Sequence, residues 1–140
     1  MPAAALQLEI TEREVMKDPA KARALMQSLR DMGVRLAMDD FGTGTSSLGC
    51  LRDYPFHTIK IDKSFVTDLC RDPHVLAVAH ATVNVIENLG MLSVAEGIEE
   101  PGEVAVLQAM GCRYGQGYLF ARPMPAGELL ATMAASSSPA

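Results

Sequence analysis

The amino-acid sequence predicts an α/β fold built from parallel βα units. Three observations carry that reading. Helix boundaries marked by Asp-Pro or Glu-Pro at the start and Gly at the end recur along the chain. Short apolar runs of strand length lie between them. Each run carries a polar or charged residue within it or at its C-terminal end. Strand, loop, helix and glycine therefore alternate, and right-handed crossovers place the helices outside a parallel sheet. A length of 140 residues suits one domain. It excludes a closed eight-unit barrel, which needs about 250 residues.

The elements follow in order. Leu6 to Ile10 reads as a first strand. Asp18-Pro19 then opens a helix that ends at Gly33, with Ala22, Leu25, Met26, Leu29 and Met32 as its expected buried face at helical spacing. Val34 to Met38 reads as the second strand and Thr58 to Ile61 as the third. Asp72-Pro73 opens a helix that runs to Gly90. Leu92 to Ala95 is the fourth strand, and Glu100-Pro101 opens a helix that ends at Gly111. Tyr114 to Phe120 is the fifth strand, and Pro125 opens a last helix around Gly127 to Ala134. Residues 1–133 are expected to form the domain, and residues 134–140, rich in Ala and Ser, a disordered tail.

Charge and composition exclude several functions. The net charge is -5, with a pI near 5.1. No Lys or Arg occurs between Asp72 and Cys112, which argues against binding double-stranded nucleic acid. The longest uncharged apolar run, Val75 to Ile86, is too short to span a bilayer and contains His80, Thr82 and Asn84. The start lacks the basic n-region of a signal peptide. Cys50, Cys70 and Cys112 match no zinc spacing and are odd in number, which points to a reducing, cytoplasmic compartment. His57, His74 and His80 share no ligand spacing either.

The polar residues at the strand ends carry the chemistry. They are Glu9, Asp39 with Asp40, Lys60 with Asp62, Glu96, and Gln116. From Glu9 to Gln116 there are 107 positions in four intervals, about 27 per unit. A TIM-type barrel has roughly 31 per unit. In barrels and open α/β sheets the carboxyl edge of the strands is where ligands bind. Carboxylates gathered there repel one another and are pushed toward protonation, and a divalent cation relieves both effects. Oxygen ligands suit Mg²⁺, Mn²⁺ or Ca²⁺ rather than zinc. Adjacent Asp39 and Asp40 could bridge two metals, and Lys60 adds a cation able to hold a water or a phosphate oxygen. The chemistry this suggests is metal-assisted phosphoester hydrolysis. Asp40-Phe41-Gly42 lacks the companion motifs of a kinase, and Gly42-Thr43-Gly44 lacks those of a dinucleotide or P-loop site.

Taken together and in order, Leu8-Glu9-Ile10-Thr11-Glu12, Asp39-Asp40-Phe41-Gly42-Thr43-Gly44, Ile59-Lys60-Ile61-Asp62, Ala95-Glu96-Gly97-Ile98-Glu99 and Gln116-Gly117-Tyr118-Leu119-Phe120 closely resemble the EAL domain family. The resemblance runs from about Leu6 to Pro125. It implies a (β/α)₈ barrel with one antiparallel strand, of which this chain would hold strands four to eight, about five-eighths. It also implies hydrolysis of cyclic di-GMP to pGpG with Mg²⁺ or Mn²⁺. By that resemblance Glu9 and Asp39 are ligands of one metal, and Asp39, Asp40 and Glu96 surround the second. Glu96 is also the general base, and Lys60 holds the attacking water. Gln116 supports the substrate region, Glu99 stands behind the ligands, and Glu12 pins the loop that starts at Gly42, Thr43 and Gly44. A homodimer, or a strand-exchanged oligomer joined through the open edges, is the expected assembly. The Glu-Ala-Leu signature and the Asn of the following strand, both metal ligands in the family, are absent, because both would precede the first match at Leu8-Glu9. The resemblance thus leaves open a phosphodiesterase half that needs the other strands, a non-catalytic binder of cyclic di-GMP or of a protein, or an inactive fragment.

Overall fold

The computed structural model describes residues 1–43 and 48–136. Five strands form one sheet in the order β1-β2-β3-β4-β5, every neighbouring pair parallel. They are β1 (Gln7–Thr11), β2 (Arg35–Phe41), β3 (Thr58–Ile61), β4 (Leu92–Ala95) and β5 (Tyr114–Gly115). Sequence order equals spatial order, as a progressively wound barrel wall requires. The connecting helices are α1 (Glu12–Lys17), α2 (Pro19–Asp31), α3 (Leu48–Asp53), α4 (Pro73–Asn88) and α5 (Pro101–Ala109), and α6 (Ala126–Ser136) follows β5.

The three main helices start where their sequences say they should. The Asp18 carboxylate accepts from Lys21 N–H, and Asp72 from His74 N–H, each just before a proline at the first helical position. In α5 the buried Glu103 carboxylate turns back to accept from Glu99 N–H and Glu100 N–H at 2.9 and 3.0 Å. Pro101 at the first helical position needs no such partner.

Side chains alternate across each strand. Leu36, Met38, Ile59 and Ile61 face the helices and are fully buried against Val15, Met26, Val83 and Ile86. Each such side chain contributes roughly 1.5–3 kcal/mol of hydrophobic stabilisation. The opposite, concave face carries Gln7, Glu9, Thr58 and Lys60, which reach one another across strands: Thr58 Oγ1 lies 3.3 Å from Gln7 Oε1. This face would be the barrel interior.

Several boundaries differ from those the sequence predicts. β2 continues three residues past Met38, so Asp39 and Asp40 lie within the strand and not beyond it. β5 is only two residues long, where a run to Phe120 was expected. The chain turns after Gly115 because Gly117 packs against the backbone of Ile98, and Phe120 N–H bonds back to Gly117 O. The short helices α1 and α3 carry too few periodic residues to announce themselves. On α2 the buried stripe is Ala22, Met26 and Leu29. Leu25 and Met32 are more than half exposed, because they sit one ridge to the side of the contact line. The last helix runs through Ser136, past the point where a tail was expected, and residues 137–140 lie outside the described residues.

Candidate functional site

Four of the five strands deliver a charged side chain to the carboxyl edge. Glu9 comes from β1, Asp39 and Asp40 from the end of β2, Lys60 from β3, and Glu96 directly follows β4. Lys60 is the hub. Its Nζ lies 2.8 Å from Glu9 Oε2, 2.8 Å from Glu96 Oε1 and 3.3 Å from Asp39 Oδ1, with the residue only 7% exposed. Burial alone would lower the pKa of this ammonium. The bonds to Glu9 and Glu96 and the fields of Glu96 and Asp39 outweigh it, and the pKa is raised.

Asp39, Asp40 and Glu96 present carboxylate oxygens that all lie within 4.8 Å of one another. Burial raises the Glu96 pKa, and Asp39 and Asp40 add to the rise against the opposing pull of Lys60. Asp40 is raised chiefly by Asp39, then by burial and by Asp62. The negative charge here exceeds what one lysine compensates. Three hard oxygen donors at that spacing, with an uncompensated field, fit a hard divalent cation. Glu9 joins the group through Lys60, not through direct approach to the other carboxylates.

Local backbone fixes these positions. Asp40 adopts φ +54°, a left-handed conformation that Asp tolerates better than most residues, and its N–H bonds to Asp39 Oδ1 at 3.0 Å. Asp40 O then accepts from both Thr43 N–H and Thr43 Oγ1–H at 3.2 and 2.9 Å. Gly42, at φ +98°, lies so close to the Phe65 ring that a Cβ would fall 2.0 Å from Phe65 Cε2. Gln116 Nε2 donates to Glu96 Oε1 at 3.0 Å, and the Gln116 backbone bonds to Ala95 O and accepts from Ile98 N–H. One carboxylate oxygen of Glu96 is therefore held from two sides.

The structure thus brings Glu9, Asp39, Asp40, Lys60, Glu96 and Gln116 together. Glu99 is not part of the group: it is exposed, and among the described residues its side chain has no hydrogen bond or ion pair. Glu12 lies 3.7 Å from Cys50 Sγ on α3. Gly42 and Thr43 flank the group, whereas Gly44 and the loop to Ser47 lie outside the described residues. Sequence reasoning missed Phe65 and Glu103, which shape the turns behind Gly42 and Glu96. The Glu100-x-x-Glu103 spacing was a usable signal for the second; nothing local marks the first. Beside Asp40 and Thr43 a cleft of about 710 Å³ is lined by Thr11, Glu12, Arg13 and Lys17.

A parallel, progressively wound βα sheet with its charged side chains gathered at the carboxyl edge is the arrangement of one wall of a βα barrel. Residues 1–123 match the EAL domain family, and the chain belongs to it. It is 42% identical over 125 residues to the cyclic di-GMP phosphodiesterase RocR of Pseudomonas aeruginosa, covering 89% of this chain and 32% of that protein. It is 43% identical over 124 residues to the oxygen sensor protein DosP of Escherichia coli, covering 89% of this chain and 16% of the relative. The chain thus spans less than a third of the length of these curated relatives. Among solved structures, the EAL domain of Mycobacterium smegmatis DcpA superposes with a TM-score of 0.92 at 36% identity, over 99% of this chain and 62% of that one. BlrP1 of Klebsiella pneumoniae in a manganese/cyclic di-GMP complex superposes at 0.83 and 36% identity, over 88% of this chain and 31% of that one. The 62% coverage agrees with the five-eighths of a barrel that the motifs imply.

Proposed function

We propose that these 140 residues are the part of a cyclic di-GMP phosphodiesterase domain that holds a divalent cation against a substrate phosphate. The observation carrying this reading is the convergence of Asp39, Asp40 and Glu96 within 4.8 Å, beside the buried ammonium of Lys60. Mg²⁺ or Mn²⁺ suits those donors. Such a cation, when bound, neutralises phosphate charge and lowers the pKa of water. Asp39, Asp40 and Glu96 would hold one cation, and Glu9 with Asp39 would contribute to a second.

The chain's own residues then have defined tasks. Lys60 offers its N–H donors to the attacking water and keeps Glu9 and Glu96 in place. Glu96, with its raised proton affinity, takes the proton from that water. Gln116 fixes the Glu96 carboxylate through its amide N–H. Glu12, Gly42 and Thr43 shape the rim where the substrate enters. We also propose a cytoplasmic setting, on the odd number of cysteines and their lack of any zinc spacing. A homodimer or strand-exchanged oligomer is the assembly we propose.

The Glu-Ala-Leu tripeptide does not occur anywhere in the sequence. Fewer ligands mean weaker cation binding, so hydrolysis by this chain alone is expected to be negligible. A second reading is a non-catalytic binder of cyclic di-GMP. Calorimetric titration with cyclic di-GMP, with and without Mn²⁺, tests both, with analysis for pGpG in the same samples. Mn²⁺-dependent binding without turnover is expected. Turnover at enzyme-like rates would refute the ligand-deficit argument, and absence of both nucleotide and metal binding would sink the proposal.

A further inference from the structure

The end of the sheet opposite the acidic edge carries the reverse charge. Four of the chain's eight arginines, Arg23, Arg30, Arg35 and Arg52, line one cleft of about 600 Å³ at the N-terminal ends of β2, β3 and β4. Among the described residues Asp53 is the one acidic side chain lining it. In a chain of net charge -5 this concentration of cations stands out.

A single carboxylate, Asp53, offsets only one of these four charges. Arg52 makes a two-point contact with Asp53, at 2.7 and 3.1 Å. The Arg23 guanidinium lies 5.4 Å from the Tyr54 ring centroid. Arg30 and Arg35 have no anionic partner among the described residues, although Arg35 is partly buried at the first position of β2. His57, immediately before β3, stands in their combined field. Burial lowers its pKa first, and Arg30 and Arg35 lower it further. Leu36 N–H donates to His57 Nδ1 at 3.1 Å, so the neutral ring carries its proton on Nε2 and adds a donor, not an acceptor.

We propose that this cleft is an anion site that takes a phosphate-type dianion, independent of the acidic edge. One carboxylate among four guanidiniums leaves a net positive charge that suits a multiply charged anion, and the planar forks of Arg30 and Arg35, which have no anionic partner among the described residues, pair bidentately with phosphate oxygens. A monocarboxylate leaves most of that positive charge unmatched. The aromatic side chains of the cleft, Tyr54 and Phe56, are buried, so recognition rests on charge and not on base stacking.

The test is a titration of the metal-free, ¹⁵N-labelled chain with inorganic pyrophosphate at fixed ionic strength. Saturable shifts confined to Arg35, Leu36, His57 and the Arg30 and Arg35 side chains are expected, with Asp39, Lys60 and Glu96 unmoved. The double variant R30Q/R35Q should weaken binding at least about tenfold, since it removes both unpartnered guanidinium forks. R122Q, remote from the cleft, should not. A nucleoside monophosphate in place of pyrophosphate separates an organic phosphate source from a free one. Shifts scattered over all basic residues, or equal affinity for acetate, would overturn the proposal. So would tighter binding of a poly-glutamate peptide than of pyrophosphate, which would make the cleft a protein-docking surface. The wild-type shift map decides the matter even if the double variant fails to fold.

Discussion

Lys60 shows how one side chain can hold an acidic edge together before any ligand arrives. Three carboxylates on three different strands converge on its ammonium, and without it they would face one another uncompensated. Lys60→Met keeps the stem and removes the charge. In the presence of a chelator it should cost about 2 kcal/mol in urea denaturation, the usual penalty for breaking a buried pair reduced for the partial solvent exposure of Glu9 and Asp39. Added Mn²⁺ should recover more stability in the variant than in the wild type, because the cation then supplies the missing charge. Equal stability of the two chains in chelator would contradict this account. At the other end of the sheet, His57 sets a pH dependence. Its folded pKa lies below the ordinary value of 6.5, so the unfolded chain binds the proton more readily. The stability it contributes is present above the unfolded pKa and is lost as pH falls through the folded one. Thermal melts should drop across that window, and His57→Gln should flatten the profile there. An unchanged slope in the variant would assign the effect to other groups.

At the scale of elements, caps and close approaches decide where the site residues stand. Asp72 closes the first turn of α4 through His74 N–H, and Asp72→Ala should destabilise the chain by about 1 kcal/mol. Two glycines give a sharper contrast. A Cβ on Gly117 would lie 2.0–2.7 Å from the backbone O, N and C of Ile98, atoms that cannot rotate away. Gly117→Ala should therefore cost about 2–3 kcal/mol and, by pushing apart the turns after β4 and β5, loosen the Gln116–Glu96 bond. Gly127 lies within α6, where a Cβ meets nothing within 4 Å. Gly127→Ala should stabilise the chain by about 0.5–1 kcal/mol. Chemical denaturation of the two variants checks both signs.

The whole molecule is a barrel wall with two unpaired margins. Among the described residues β1 pairs only with β2 and β5 only with β4, so the outer edge of each strand presents backbone groups without a strand partner. The concave face is partly open, with Tyr114 54% exposed, and α6 buries none of its residues. Among the described residues no helix is long and apolar enough to cross a membrane. These margins should drive self-association in the isolated chain. Light scattering should show a mass that rises with concentration; a constant monomer mass would show that the margins are self-protected.

Much of this architecture was legible in the sequence, and for local reasons. Asp18-Pro19, Asp72-Pro73 and Glu100-Pro101 mark helix starts because a cap acceptor and a preset φ act within one turn of chain. The strand-end charges were legible because a charge at the edge of an apolar run must be paired or hydrated, and four successive runs place one there, with a glutamine at the fifth. The short helices, the early end of β5 and the exposed Leu25 and Met32 were not legible. They depend on which neighbour packs against which ridge, information that no local pattern contains. The sequence by itself determined the order of βα units, the family and the identity of the acidic edge. Only the tertiary structure decided that one lysine ties Glu9, Asp39 and Glu96 together, and that Arg30 and Arg35 are left without anionic partners in a single cleft. Periodicity and capping are properties of neighbouring residues, whereas charge compensation is set by distances across strands dozens of residues apart.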